Sequence, residues 1–234
     1  MSSWFGKEKA PEKSEGGSLI RRYGNQAPDV PRGVTESSTE FARAREEVYA
    51  RLFGEAASVS HEIVPLVPHI DVYSYNPGHR GRDFCTLITG GMSDLEMNVP
   101  AEAKRAPRRV ELVFYCSEQR QEYIDTLRQL AHFPHAYKTW IGSGHTMPNG
   151  DPPEPLWGSA VLDTILFMPT IVRPDDALAD QLSLAGQPVH FLWVVPLTTP
   201  ETNLKLAKGF NAILDLFGQH RHPHVFNADR PSYI

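Results

Sequence analysis

The segment from Val189 to Leu197 constrains the fold more than any other part of the chain, because almost every residue in it is apolar. Successive side chains of a β-strand point to opposite faces. As a strand, the segment would place Val189, Phe191, Trp193 and Val195 on one face and Leu192 and Val194 on the other. A strand that is apolar on both faces is typical of the centre of a sheet that helices cover on both sides. The segment therefore predicts a layered fold of helices on a sheet.

Apolar periodicity predicts the elements around this strand. Three segments have helical spacing, with these expected limits: Ser38 or Thr39 to Gly54; Glu118 to Phe133 with Ser117 as the cap; and Pro200 to Phe217 with Thr199 as the cap and Gly218 as the terminator. The strand-like segments are 64–67, 69–75, 84–89, 110–115, 160–168 and 189–197. Helices that alternate with hairpin-like strand pairs predict an α/β (α+β) class, in which helices cover a mixed β-sheet in a layered sandwich.

Residues 1–35 differ in composition from the rest of the chain. They are rich in Ser, Gly, Pro, Lys and Glu and contain few large apolar side chains. Such a segment buries too little apolar surface to offset the entropy of ordering. We therefore predict a flexible leader over residues 1–35 and a single domain over residues 36–234, which is long enough to bury a sizeable core.

Charge and composition argue against several classes of partner. The net charge is −5 and the runs of Lys and Arg are short, whereas a nucleic-acid footprint needs a basic face. No apolar stretch approaches the roughly 20 residues of a membrane span, and no signal segment is evident, so a cytoplasmic protein is expected. The only cysteines, Cys85 and Cys116, lie in predicted strands and are expected to be buried thiols. Phosphate-binding glycine patterns are missing, so no cofactor is predicted.

Three histidines near the C-terminus are a weak metal candidate. His220, His222 and His224 alternate at a period of two, so an extended segment could project all three imidazoles to one side. However, Pro223 interrupts the segment and no nearby acidic residue or cysteine completes an evident ligand set. A solvated polar terminus explains the pattern equally well, and no metal is predicted.

Two serines among glycines raise the possibility of a hydrolase. Ser93 and Ser143 both lie close to glycines, and His145 follows Ser143. Neither serine has the Gly-x-Ser-x-Gly spacing of the turn that exposes a nucleophile. A Ser/His hydrolase that uses Ser93 or Ser143 with His145 is therefore our third hypothesis, and the chain is not expected to be an enzyme.

The segment from Thr86 to Pro100 has the most distinctive sequence in the chain. A run of β-forming residues stops at Gly90 and Gly91, which admit left-handed backbone conformations, and Ser93 or Asp94 can then bond to nearby backbone amides. The residues by themselves predict a rigid turn. The whole segment also resembles the hallmark of suppressor of fused domains, whose members typically read "TLVTSGMSD…MNVP" at this point.

The resemblance to suppressor of fused domains extends over about residues 40–234. Further similar segments follow in the family's order: 69–73, 110–115, 191–197, the helix over 200–217, His222-Pro223 and the end from Asp229 to Ser232. The resemblance implies a non-enzymatic module that binds another protein. Animal members add a second domain and clamp a peptide between two lobes, whereas we expect a single domain here. Single-domain bacterial members resemble immunity proteins.

Our leading hypothesis is a cytoplasmic immunity protein that neutralises a toxin by occlusion, since an acidic chain suits a basic toxin. The alternative is a regulator or chaperone that captures an extended peptide at a sheet edge. Loops held by a rigid sheet often carry function, and Trp and Met supply anchor area. The predicted contacts, which could equally face the core, are Gly90, Gly91, Met92, Ser93, Asp94, Met97, Trp140, His145 and Trp157.

Overall fold

The computed structural model describes residues 12–23, 30–33, 38–64, 66–172, 175, 178 and 181–234. Within these residues the strands are β1 (Glu12–Lys13), β2 (Leu19–Ile20), β3 (Ser58–Ser60), β4 (Asp71–Tyr75), β5 (Cys85–Gly90), β6 (Arg109–Cys116), β7 (Thr146–Pro148), β8 (Leu162–Pro169), β9 (Ser183–Leu184) and β10 (Gln187–Thr198). The helices are α1 (Ser38–Phe53), α2 (Gln121–Ala136), α3 (Thr199–Lys208) and α4 (Phe210–His220). None of these helices is long and apolar enough to cross a membrane.

A mixed sheet forms the centre of the fold. Its strands follow the order β3-β4-β5-β6-β10-β8-β7, and β9 pairs with β10 beside this path. The pairing of β6 with β10 is parallel, and the other pairings in the sheet are antiparallel. Leu192 of β10 is opposite Leu112 of β6 on one side and Pro169 of β8 on the other. The predicted central strand is therefore confirmed.

Each face of the sheet has its own apolar core. On one face, Phe191 and Trp193 of β10 pack in a cluster with residues of α1 and α4, including Tyr49 and Phe217. On the other face, Leu192 and Val194 pack in a second cluster with residues of α2 such as Leu127. Helices thus cover both faces of β10, which confirms the layered α/β (α+β) class and explains why both sides of this strand are apolar.

The strand predicted over residues 64–67 is wrong. In the described part of that segment, Leu66 makes only an isolated bridge with Arg32, and Val64 is 48% exposed. The strand that pairs with β4 is instead β3, in which Val59 lies opposite Tyr73. Two of the three residues of β3 are serines, so its sequence gave no β-forming run to detect.

Two predicted helix limits are also wrong. Ser117 does not cap the second helix, because α2 begins at Gln121 after an extended Arg120 that makes no side-chain capping bond. The third helix is capped by Thr198 rather than Thr199, and its Glu201 completes a capping box.

The long C-terminal helix is divided into two. Gly209, with φ 90° and ψ 175°, separates α3 from α4, in a backbone region that is essentially restricted to glycine. The sequence predicts that Gly218 ends the helix, but Gly218 lies inside α4, which ends at His220 and is followed by Arg221 in a left-handed conformation. The expected helix is confirmed in position, but its interruption at Gly209 was not predicted.

Part of the predicted leader packs on the domain. β1 and β2 form a hairpin, and the Gly16 amide donates to the Leu206 carbonyl of α3 at 2.7 Å. The Tyr23 hydroxyl donates to Thr139 Oγ1 at 2.8 Å, and its ring lies 5.0 Å from that of Phe133. Flexibility of residues 1–35 stays a prediction, because residues 1–11, 24–29 and 34–35 lie outside the described residues.

Candidate functional site

The turn that follows β5 is built around Gly91. Its φ is +116°, and a Cβ at this position would lie 1.9 Å from the His69 carbonyl oxygen. Only glycine fits there, because any side chain would clash with the backbone that leads into β4. A single 3-10 turn over Met92–Asp94 follows and is buried. The glycine therefore allows the turn after β5 to pack closely against the backbone that precedes β4.

The carboxylate of Glu111 holds this turn from the adjacent strand β6. Its Oε1 accepts hydrogen bonds from the amides of Gly91 and Ser93, both at 3.0 Å, and from Ser93 Oγ at 2.5 Å. Its Oε2 accepts from Thr89 Oγ1 at 2.6 Å. Glu111 is completely buried, so these four donors replace the water that an ionised carboxylate requires.

Two arginines balance the negative charge at the turn. Arg45 of α1 forms a buried ion pair with Asp94, and Arg109 Nη1 donates to the carbonyls of Ser93 and Asp94 at 2.7 and 2.9 Å. Burial raises the pKa of Asp94 to about 6; Arg45 opposes this shift and the charge of Glu111 adds to it. Asp94 is therefore still ionised at pH 7. The turn is a compact arrangement of two carboxylates and two guanidinium groups.

The structure places the nine predicted partner contacts mainly in the interior. Trp140 and His145 are half-buried, whereas the other seven are buried: Gly90, Gly91, Met92, Ser93, Asp94, Met97 and Trp157. In this conformation the seven buried residues shape the scaffold beneath the surface. Their direct contact with a partner stays a prediction.

The groups proposed for a Ser/His hydrolase are not assembled. Ser93 Oγ donates to Glu111, while the His145 ring packs against Trp140 with centroids 4.3 Å apart. Burial, together with the smaller effects of the charges of Lys205 and Arg21, lowers the pKa of His145 to about 4. Within the described residues, neither Ser93 nor Ser143 hydrogen-bonds an imidazole that would act as its general base.

The loop between β7 and β8, residues 149–161, is an ordered and acidic surface feature, which we call the acidic loop. Residues 151–155 are exposed, and the Glu154 amide closes the loop on the Asn149 carbonyl at 2.7 Å. Trp157 anchors it from below, since its Nε1 donates to Thr126 Oγ1 of α2 at 3.0 Å. No Lys, Arg or His occurs from residue 146 to residue 172. Asp151 and Glu154 therefore present negative charge without a basic neighbour in that stretch.

The three C-terminal histidines have separate packing roles. His222 stacks on Phe217 with ring centroids 3.9 Å apart and an interplanar angle of 7°. His220 stacks on Tyr233 at 4.4 Å, and His224 packs edge-on against a different ring, that of Phe84. Among the residues that the structure describes, no group of three or more His, Cys, Asp or Glu is arranged to hold a metal ion.

The residues that organise the turn and the edge of the sheet have no clear signal in the sequence, with one exception. Glu111 was detectable in principle, because it is the single charged residue of an otherwise apolar strand segment. Arg45, Arg109 and Lys205 carry no comparable signal, since charged residues are frequent on helices and at strand ends. Their importance depends on burial, which only the fold determines.

Fold and site together define an α/β protein in which a mixed sheet lies between helices and a glycine turn is fixed by buried charges. A family model described as "Suppressor of fused protein (SUFU)" matches residues 67–231. This match covers more than half of the chain, which therefore belongs to the suppressor of fused protein family.

Solved structures agree with this family assignment in fold. A suppressor of fused homologue from Neisseria gonorrhoeae is similar with a TM-score of 0.65 at 14% identity, over 84% of this chain and 98% of that one. The Sufu-Fu complex is similar with a TM-score of 0.54 at 15% identity, over 88% and 93%. Drosophila Suppressor of Fused is similar with a TM-score of 0.53 at 14% identity, over 88% of this chain and 52% of the Drosophila chain. The chain thus spans about half of the Drosophila protein. A search of curated protein sequences found no match.

Proposed function

We propose that this chain is a non-enzymatic protein-binding module of the cytoplasm that neutralises a toxin by occluding it, as immunity proteins do. The observation that carries the proposal is the acidic loop, which is exposed, ordered and free of basic residues. Membership of the suppressor of fused family supports the broader part of the proposal, because one solved structure with this fold is that of the Sufu-Fu complex.

The acidic loop has the properties of a surface for a basic partner. Asp151 and Glu154 are exposed, so their field extends into solvent and steers a positively charged protein toward them. The backbone bond between Glu154 and Asn149 and the buried Trp157 fix the loop before binding. Such preorganisation lowers the entropy cost of association. The loop is therefore suited to binding a basic protein without catalysing a reaction.

The buried turn supports the non-enzymatic part of the proposal. Its most reactive groups are already engaged: Ser93 Oγ with Glu111, and Asp94 with Arg45. A nucleophile needs a free base and an open position for a substrate. The turn instead uses its polar groups to hold α1, β5 and β6 together.

A direct test is to co-express the chain with each candidate toxin domain that its neighbouring genes encode. The proposal predicts that cells survive the toxin and that the two proteins co-purify as a stable complex. Reversing charge on the acidic loop with Asp151→Lys and Glu154→Lys should weaken the complex by at least about tenfold, a change of about 1.4 kcal/mol. The matched control is Asp215→Lys, an exposed acidic position on α4. Failure of the unmodified chain to bind or protect would refute the proposal.

A second candidate function, capture of an extended peptide, is favoured by the edge of the sheet. β7 is the last strand at one end of the described sheet and pairs only with β8. The Phe167 amide donates to the His145 carbonyl and the Asn149 amide to the Asp163 carbonyl. Since antiparallel residues alternate in direction, the amide and carbonyl of Thr146 and the carbonyl of Pro148, which has no N–H, face outward. They are available to an added strand.

A further inference from the structure

Asn149 is the residue that closes the acidic loop. Its backbone amide donates to the Asp163 carbonyl of β8 at 2.8 Å, and its carbonyl accepts from the Glu154 amide at 2.7 Å. Its side chain adds a third bond, because Nδ2 donates to the Glu154 carbonyl at 2.9 Å. Asn149 thus joins the end of β7 to the far side of the loop through both its backbone and its side chain.

The residue that follows Asn149 leaves its own backbone nitrogen accessible. Gly150 has no Cβ to shield this nitrogen, and Asn149-Gly150 is the single Asn-Gly pair in the chain. Gly150 is exposed, and within the described ranges its amide donates to no backbone acceptor. The Gly150 nitrogen is therefore unhindered and open to water, and closure of a five-membered ring would join it to Asn149 Cγ.

This arrangement allows a reaction within the loop that needs only water. The Gly150 nitrogen attacks Asn149 Cγ, so that an N–Cγ bond forms and the Cγ–Nδ2 bond breaks; the proton of the nitrogen ends on the departing ammonia. Water then opens the cyclic imide. Attack at Cγ gives aspartate, and attack at the main-chain carbonyl gives isoaspartate, in which the backbone continues through Cγ. The nitrogen regains a proton in both cases, so the net reaction consumes one water and releases one ammonia.

We propose that Asn149 is a site of deamidation and that its conversion opens the acidic loop. Either product carries a carboxylate, which accepts hydrogen bonds but cannot donate them. The bond to the Glu154 carbonyl is therefore lost, and two oxygen atoms face each other in its place. Isoaspartate also lengthens the backbone by one carbon between residues 149 and 150. The reaction thus releases the contact that holds the loop in one conformation.

The consequence for binding rests on the proposed function. Deamidation adds a negative charge to the loop, but one exposed charge contributes little to affinity. A released loop must be ordered again when a partner binds, and the ordering of several residues costs more. The modified chain therefore binds a basic partner more weakly, so that the affinity of the protein declines with its age.

The test of the reaction is incubation of the full chain at neutral pH and physiological temperature, with peptide mass spectrometry at intervals over several weeks. Asn149 should gain the mass that replacement of NH2 by OH adds. Asn98 is the internal control, because its Nδ2 also donates to a main-chain carbonyl, that of Lys138. The nitrogen of the following Val99 is shielded by a branched side chain, and its amide donates to Met97. Asn149 should react at least about tenfold faster than Asn98.

The test of loop opening is hydrogen exchange at the Glu154 amide in Asn149→Asp, which reproduces one product of the reaction. This amide should lose at least about tenfold of its protection, because the contact that holds its hydrogen bond is removed. The matched control is Asn98→Asp, which adds the same charge and removes the same kind of bond at another exposed site. It should leave the exchange of the Glu154 amide unchanged.

Two results would overturn the inference: deamidation of Asn149 no faster than that of Asn98, or unchanged protection of the Glu154 amide in Asn149→Asp. Both measurements use the chain without a partner, so they are separate from the toxin test. A chain that neutralises a toxin but keeps Asn149 intact would reject only this inference. A chain that deamidates but neutralises no toxin would reject only the proposed function.

Discussion

At the scale of single residues, the turn after β5 shows how far the sequence leads. Gly90, Gly91 and Asp94 predicted a rigid turn, and this expectation agrees with the structure. The carboxylate that holds the turn, Glu111, was not predicted, because it lies 18 to 22 residues away from its hydrogen-bond donors. Contacts between strands depend on their register. An apolar pattern shows which face of a strand is buried, but it does not show which residues lie opposite each other. The sequence therefore revealed the turn but not what fixes it.

Substitution of Glu111 by Gln tests whether its carboxylate supports the fold. Gln would lose one acceptor oxygen and bring an amide group against buried donors, so we expect a loss of roughly 2–4 kcal/mol in the free energy of unfolding. Urea denaturation measures this loss. The control is Glu118→Gln, since Glu118 is exposed and pairs with the exposed Arg120. A loss below about 1 kcal/mol for Glu111→Gln would show that the network contributes little.

Protonation of His222 should destabilise the fold in acid. Burial lowers its pKa from 6.5 to about 4, and the charge of Arg230 contributes. Between these two values the unfolded chain binds more protons than the folded chain, so stability is lost as the pH falls. From pH 7 to pH 5, the unmodified chain should lose roughly 1–2 kcal/mol more than His222→Phe, allowing for screening of a half-buried ring. Urea unfolding at pH 7 and at pH 5 measures the loss for each protein. If the unmodified chain and His222→Phe lose the same free energy of unfolding between these pH values, this assignment is contradicted.

At the scale of secondary structure, apolar periodicity predicted the elements that bury a continuous face. The strand β10 and the helix α1 are clear examples, because their apolar residues follow the periods of 2 and 3.6. Apolar periodicity failed where a single residue sets the backbone conformation or where a strand is very short. Gly209 breaks a helix whose apolar stripe continues across the break, and β3 is only three residues long.

A pair of glycine substitutions tests where the C-terminal helix is interrupted. Gly218→Ala should raise the free energy of unfolding by about 0.5–1 kcal/mol, because the site is helical, exposed and open to a Cβ. Gly209→Ala should lower it by about 1–3 kcal/mol, because φ +90° is unfavourable for alanine. Thermal unfolding gives both values. A loss of stability for Gly218→Ala together with a gain for Gly209→Ala would instead mean that the helix ends at Gly218, as the sequence predicts.

At the scale of the whole molecule, the structure separates scaffold from surface. The buried charges around Glu111 and Arg45 and the ion pair of Glu201 with Arg230 hold helices and the C-terminal segment on the sheet. Residues 151–155 of the acidic loop are exposed, and β7 is the last strand at one end of the described sheet. The fold class and family were accessible from the sequence, because motifs recur in the same order along the chain. The surfaces that we propose for binding were not accessible in the same way, because exposure is a property of the assembled fold.

The measurement that tests this account most directly is the affinity of the purified chain, as a function of ionic strength, for the toxin domains that its neighbouring genes encode. Binding through the acidic loop predicts a complex whose affinity falls as salt rises from about 0.01 M to about 0.15 M. In a chain with Asp151→Lys and Glu154→Lys, binding should be weaker and this salt dependence should disappear. The absence of a complex, or an affinity that neither salt nor charge reversal changes, would contradict the account.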